Sequence, residues 1–279
     1  MLDLGRLVEK LVGVLHQGCG NLAVEVCLPA LLAREGVEIK AHVSQIGDIR
    51  APDVPFDELD RAEENEVRCA HPETAERMRE RIDEYQQEGD SIGGVVQFEM
   101  RGVPRGLGAP RFDSFAARLG KAMFAIPATT SFEYGAGRDA RTMRGSERNE
   151  DWEFDDGTRD KVRSEEGDPV PVGNDHGGLQ GGITTGEPIY GEATWHAPTS
   201  IPKEQTTVDW ETGEKKDIQV VGRHDPVLPP RAVPVVEAVL ALVTVDFMLL
   251  GGRINPDRLD GQPGDYDTAY HPSSPRNED

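Results

Sequence analysis

The sequence predicts a mixed α/β chain of the α+β kind. Residues 37–46, 92–101 and 189–195 alternate apolar and polar side chains with the two-residue period of a strand. Elsewhere apolar residues recur at helical spacing, as Met78, Ile82 and Tyr85 do, and again Phe115, Leu119 and Met123. The longest apolar stretch, 232–250, carries Glu237 and Asp246 and reads as a core helix rather than a membrane span.

Each element has its punctuation. Residues 1–35 are loosely helical through Leu11, Val12, Leu15, Leu28, Leu31 and Leu32, with Gly36 as the C-cap before the first strand. The charged stretch 52–88 contains a helix opened by Pro72 and stopped by Gly89. A strand at 92–101 is followed by the turn-forming segment 102–110, a helix at 113–125 and a strand at 131–134. Residues 148–173 are rich in Asp, Glu, Arg and Gly and read as a long exposed loop. After the strand at 189–195 comes a hairpin over 206–221 that turns at Thr212-Gly213. A helix at 234–250 follows, and then a Pro-, Asp- and Gly-rich tail.

Composition narrows the function. With 30 Lys and Arg against 51 Asp and Glu, the 279-residue chain has a formal net charge of -21, which repels nucleic-acid phosphates and anionic lipid. The acids are spread from Asp53 to Asp279, as suits a surface solvated in concentrated salt better than a tail for a basic partner. Cys19, Cys27 and Cys69 show no C-x-x-C spacing, so neither a disulfide framework nor a metal site is indicated. Residues 1–15 lack the features of a secretory signal, and the expected location is cytoplasmic.

Two polar constellations are candidates for chemistry. Arg223, His224 and Asp225 precede Pro226 and a helix, which sets an anion fork, a proton relay and a carboxylate at one junction. The plain alternative is an Asp-Pro turn with a surface ion pair. Residues 174–186, N-D-H-G-G-L-Q-G-G-I-T-T-G, have paired glycines that either cradle an anion or simply turn the chain, and they match neither the Walker A nor the dinucleotide pattern. His196, Thr199 and Ser200 follow a strand end, where they either bind phosphate or cap a turn. Arg231 is a second candidate cation, or a surface residue near a helix start. His42, His71 and His271 have no ligand-like spacing.

Five segments taken together resemble the chorismate synthase family. They are G-D-S-I-G-G-V-V at 89–96, R-G-V-P-R-G-L-G at 101–108, R-G-S-E-R-N at 144–149, G-G-L-Q-G-G-I-T-T-G-E-P at 177–188 and R-H-D-P-V-L-P-P-R-A-V-P-V-V-E-A at 223–238. The resemblance runs in order from Leu31 to Met248, and A-P-T-S-I-P-K-E-Q at 197–205 looks like the archaeal branch. It implies antiparallel sheets enclosing a helical layer, a tetramer, and a lyase that uses reduced FMN to convert enolpyruvylshikimate phosphate into chorismate. It also implies flavin contacts at Pro127, Ala128, Gly181, His196, Ala197, Pro198, Thr199, Ser200 and Arg223. Asp225 is then the proton acceptor, beside His224 and Arg223. The family's glycine-rich opening, its R-P-x-H-A-D-type histidine and its R-S-S-R-E-T-type segment have no match here. The expected layout is therefore a divergent segment 1–30, a catalytic domain 31–250 that is the C-terminal two-thirds of the family's, and an acidic flexible tail 251–279. The alternative is an inactive remnant that associates with a complete copy.

Overall fold

The alternating segments do become strands, and every pairing among them is antiparallel. The computed structural model describes residues 28–29, 31–109, 111–154 and 169–254. Its strands are β1 (Glu38–Ile46), β2 (Ile49–Arg50), β3 (Gly94–Arg101), β4 (Thr129–Tyr134), β5 (Trp152–Phe154), β6 (Pro169–Pro171), β7 (Leu179–Gln180), β8 (Ile183–Thr184), β9 (Ile189–Trp195), β10 (Gln205–Val208) and β11 (Lys215–Ile218). Five of them form one sheet in the order β2-β1-β3-β9-β4, and three two-stranded ribbons complete the set among the described residues. The α+β class is the one expected.

The sheet buries one face. Val96, Phe98 and Met100 of β3 and Ile189, Ala193 and Trp195 of β9 point into the core, while Gln97, Glu99, Tyr190 and Glu192 between them face outward. Helices α1 (Pro72–Gln87), α2 (Phe115–Phe124), α3 (Gly145–Arg148) and α4 (Pro229–Leu250) follow the chain. Helix α4 lies against β1, β3 and α2, and Phe115 of α2 stacks on Phe247 of α4 with ring centres 4.9 Å apart. By length and composition α4 is long and apolar enough to cross a membrane, but here it is core. Its two acids are both engaged: Ala41 N–H donates to Glu237 at 2.8 Å, and Arg118 pairs with Asp246 at 3.2 Å.

Several element boundaries differ from expectation. Helix α4 starts at Pro229, not 234, because prolines lack only N–H groups that the first turn leaves unbonded anyway. Pro234 inside it strips the Pro230 carbonyl of its usual donor, and Arg68 Nη1 replaces that donor at 3.2 Å. The charged stretch 52–88 hides a 3₁₀ helix, Phe56–Glu64, which buries Phe56, Leu59 and Ala62. The ends of the predicted loop 148–173 are not loose, since β5 pairs with β6. Of the expected flanking segments 1–30 and 251–279, residues 1–27, 30 and 255–279, with Cys19, Cys27 and His271, lie outside the described residues.

Candidate functional site

Most of the predicted site residues meet at one end of the sheet. There β3 and β4 begin and β9 ends, with Gly94 and Thr129 both opposite Trp195. Pro127 and Ala128 occupy the centre of a turn closed by Thr129 N–H donating to the Ile126 carbonyl at 3.3 Å. Proline suits the second position of such a turn, whereas Ala128 at φ 65° holds a conformation that favours glycine. The next link is direct, because His196 N–H donates to the Ala128 carbonyl at 3.2 Å.

The Arg223–Pro226 junction joins the same end through a segment whose role sequence reasoning missed. Ser91 Oγ donates to the Pro198 carbonyl at 2.6 Å, and Ile92 N–H donates to the Pro226 carbonyl at 2.8 Å. Residues 91–92 thus stand between the two candidate loops. The glycines that follow are required by contact: a Cβ on Gly93 would lie 2.6 Å from the Trp195 carbonyl, and one on Gly94 2.3 Å from the Gln45 carbonyl.

The polar groups at this end are unequally committed. Asp225 is ion-paired with Arg231, six residues on, which is the surface pair anticipated as the plain reading of the motif. His224 Nε2 lies 3.2 Å from the Val220 carbonyl. Arg223, by contrast, is exposed and makes no hydrogen bond or ion pair among the described residues. The Thr129 hydroxyl oxygen is buried without a partner, next to Ala128. Sequence reasoning overlooked Thr129 as well, although a hydroxyl directly after a Pro-Ala turn was a visible signal.

Gly181 stands apart. It forms, with Gly182, the two-residue turn between β7 and β8, both at positive φ as such hairpins demand. Gly182 packs on Ser114, the N-cap of α2, whereas Ala128 follows that helix's other end. A ten-residue helix separates them, roughly 15 Å at 1.5 Å per residue. The Gly177-Gly178 pair is a structural turn. A Cβ on Gly177 would meet the Gly135 nitrogen at 2.4 Å, and Gly178 N–H already donates to Asn174 Oδ1 at 2.7 Å.

His71 and His42 hold structural positions in the fold. His71 caps α1, its Nδ1 accepting from Thr74 N–H at 3.3 Å. His42 is buried, and desolvation holds its imidazole down at about 4, opposed in part by Gln97. Cys69 is buried and its thiol is pushed up by burial. No cluster of metal-ligating side chains occurs among the described residues. A polar cleft of about 470 Å³ opens on the sheet's outward face, away from these groups. There Glu133 and Glu192 sit opposite one another, held by Arg138 at 3.0 and 3.2 Å, with Arg50 also on Glu192 at 2.7 Å. Its charges answer each other, so it offers no free fork for an anion.

A family profile described as chorismate synthase matches residues 19–249. Over 247 residues the chain is 74% identical to a protein named chorismate synthase from Haloquadratum walsbyi, covering 88% of this chain and 62% of the relative. A Methanosarcina acetivorans protein of the same name is 46% identical over 241 residues, covering 86% of this chain and 63% of the relative. A solved chorismate synthase crystal structure superposes with a TM-score of 0.65 at 26% identity, covering 82% of this chain and 62% of that one. The chain therefore spans a little over three-fifths of the length of the relatives it matches. On the profile match and these identities, the chain belongs to the chorismate synthase family.

Proposed function

We propose that the protein is a lyase that removes phosphate and a ring proton from enolpyruvylshikimate phosphate by 1,4-elimination, giving chorismate for aromatic biosynthesis, with residues 31–250 as its catalytic domain. Family membership supports the reaction class. The observation that carries the chain's own part is the gathering of Ala128, His196–Pro198 and the Arg223–Pro226 junction at one sheet end, with an unengaged guanidinium and an unpartnered hydroxyl.

That donor set fits a flavin phosphate. Arg223 presents a five-donor fork, Thr199 and Ser200 present exposed hydroxyls, and the Thr129 oxygen lacks a partner. Such donors are needed because a doubly charged phosphate in so acidic a protein requires cations gathered locally. Pro127, Ala128, His196, Ala197 and Pro198 shape the loop walls. Gly181, at the far end of α2, reaches the same group only if the group lies along the helix. Reduced FMN, when bound, supplies transient electron density to the substrate ring and is recovered without net redox change. Asp225 accepts the ring proton, Arg231 holds its carboxylate in place, and His224 stands next to it as a relay. In the elimination the C–O bond to phosphate and the C–H bond break, a second ring double bond forms, and the proton passes to Asp225. The same reading includes a cytoplasmic homotetramer.

Titrating FMN into the chain in molar salt, followed by flavin fluorescence, tests this. Saturable binding is expected, weakened about tenfold or more by Arg223→Ala, as loss of a charge-assisted contact implies. Absence of binding by the unaltered chain would overturn the reading.

A further inference from the structure

We infer that Ser91, seconded by Asp90, is a positioning residue that locks the flavin-phosphate loop 196–203 onto the start of β3. This rests on the phosphate-binding role given above to residues 196–200.

Local structure creates the lock. Helix α1 ends in a left-handed Gly89 at φ 66°, with Asp90 N–H donating back to the Tyr85 carbonyl at 2.8 Å. That cap delivers residues 89–93 alongside the loop. Four approaches then follow along this stretch: a Cβ on Gly89 would lie 3.2 Å from Pro202, Lys203 Nζ donates to Asp90 Oδ2 at 2.6 Å, Ser91 Oγ donates to the Pro198 carbonyl at 2.6 Å, and Gly93 lies beneath His196 and Ala197. The Asp90 carboxylate also accepts Ser91 N–H at 2.9 Å, so the ion pair orients the serine. Gln219 Nε2 adds a bond to the Pro202 carbonyl at 2.7 Å, tying the hairpin strand that leads to Arg223 to the same loop.

The contacts are not equal in strength. Asp90 and Lys203 are 33% and 43% exposed, and molar salt shrinks the screening length to about 3 Å, so their attraction contributes little under such conditions. Ser91 is 8% exposed, and its bond is indifferent to salt. The serine therefore dominates, and the ion pair tunes the loop at low salt.

Two measurements on the full chain test this. In FMN titrations in molar salt, Ser91→Ala is expected to weaken binding about three- to tenfold. Ser91→Thr should restore it, and Asp90→Asn should matter only when salt is lowered. The thermal midpoint should move by no more than a few degrees in any of them, as one lost hydrogen bond implies. Amide hydrogen exchange read without flavin should accelerate at 196–203 in Ser91→Ala and stay unchanged in β3 and β9. Wild-type affinity in Ser91→Ala, or a loss of affinity that tracks a lowered midpoint and is not rescued by threonine, would overturn the inference. If the unaltered chain binds no FMN, the functional reading falls and the exchange arm decides the lock by itself: unaltered exchange at 196–203 refutes it, and local acceleration upholds it.

Discussion

Glu237 and His42 are two ionisable side chains placed where water is largely excluded, and they respond to pH in opposite directions. Burial pushes the Glu237 carboxyl from 4.5 to about 7, with the Ala41 N–H bond pulling back. The folded chain therefore binds this proton more tightly than the unfolded chain, and stability falls as pH rises through that window. Replacing Glu237 by Gln keeps an acceptor for Ala41 and removes the penalty. It should add on the order of 2–3 kcal/mol at about pH 8 and nothing below the unfolded carboxylate range, as denaturant melts at the two pH values would show. His42 has its value lowered from 6.5 to about 4, chiefly by burial, so its contribution is lost as pH falls through that interval. Where the windows overlap the two slopes cancel. Glu237→Gln should therefore make stability rise more steeply with pH between about pH 4.5 and 6.5 than in the unaltered chain.

Elements are stitched together at their starts. Helix α4 begins with Pro229 and Pro230 and carries Pro234 one turn on, which denies the Pro230 carbonyl its i+4 helical donor, and Arg68 donates to that carbonyl instead. Arg68→Ala should cost about 1 kcal/mol, and less in a Pro234→Ala background, where a helical N–H returns to that carbonyl. A double-mutant cycle in urea measures the difference. Additive costs would show that the arginine acts through its ion pair with Glu63, at 3.4 Å, and not through the helix. At the start of β3, Gly93→Ala has nowhere to put its methyl group except against the backbone of residues 195–197. A loss of about 1–3 kcal/mol is expected, with a lowered thermal midpoint as the readout.

Over the whole molecule the surplus of acids decides the conditions for stability. A net charge of -21 repels itself most in the compact state, and added salt shortens the range of that repulsion. The thermal midpoint should rise by several degrees, about 5 °C or more, between 0.1 M and molar salt. A midpoint that does not move would mean that the ion pairs scattered over the surface, such as Arg79 with Glu76 and Arg81 with Asp48, already balance the acids locally.

What the sequence determined by itself was whatever depends on neighbours in the chain. The two-residue period of β1, β3 and β9, the helical faces of α1 and α2, the Gly36 and Gly89 caps and the family's ordered motifs were all legible, because each is a local steric or periodic property. The 3₁₀ helix at 56–64 was missed because its buried residues, Phe56, Leu59 and Ala62, are interleaved with Asp, Glu and Arg, and the run of charge reads as exposed loop. The tertiary structure alone decided the strand order, the meeting of Ala128 with His196, the wedge of Ser91 and Ile92 between the two candidate loops, and the distance that sets Gly181 apart. Those features rest on hydrogen bonds and close contacts between residues far apart in sequence, and no local pattern carries the partner of a backbone carbonyl.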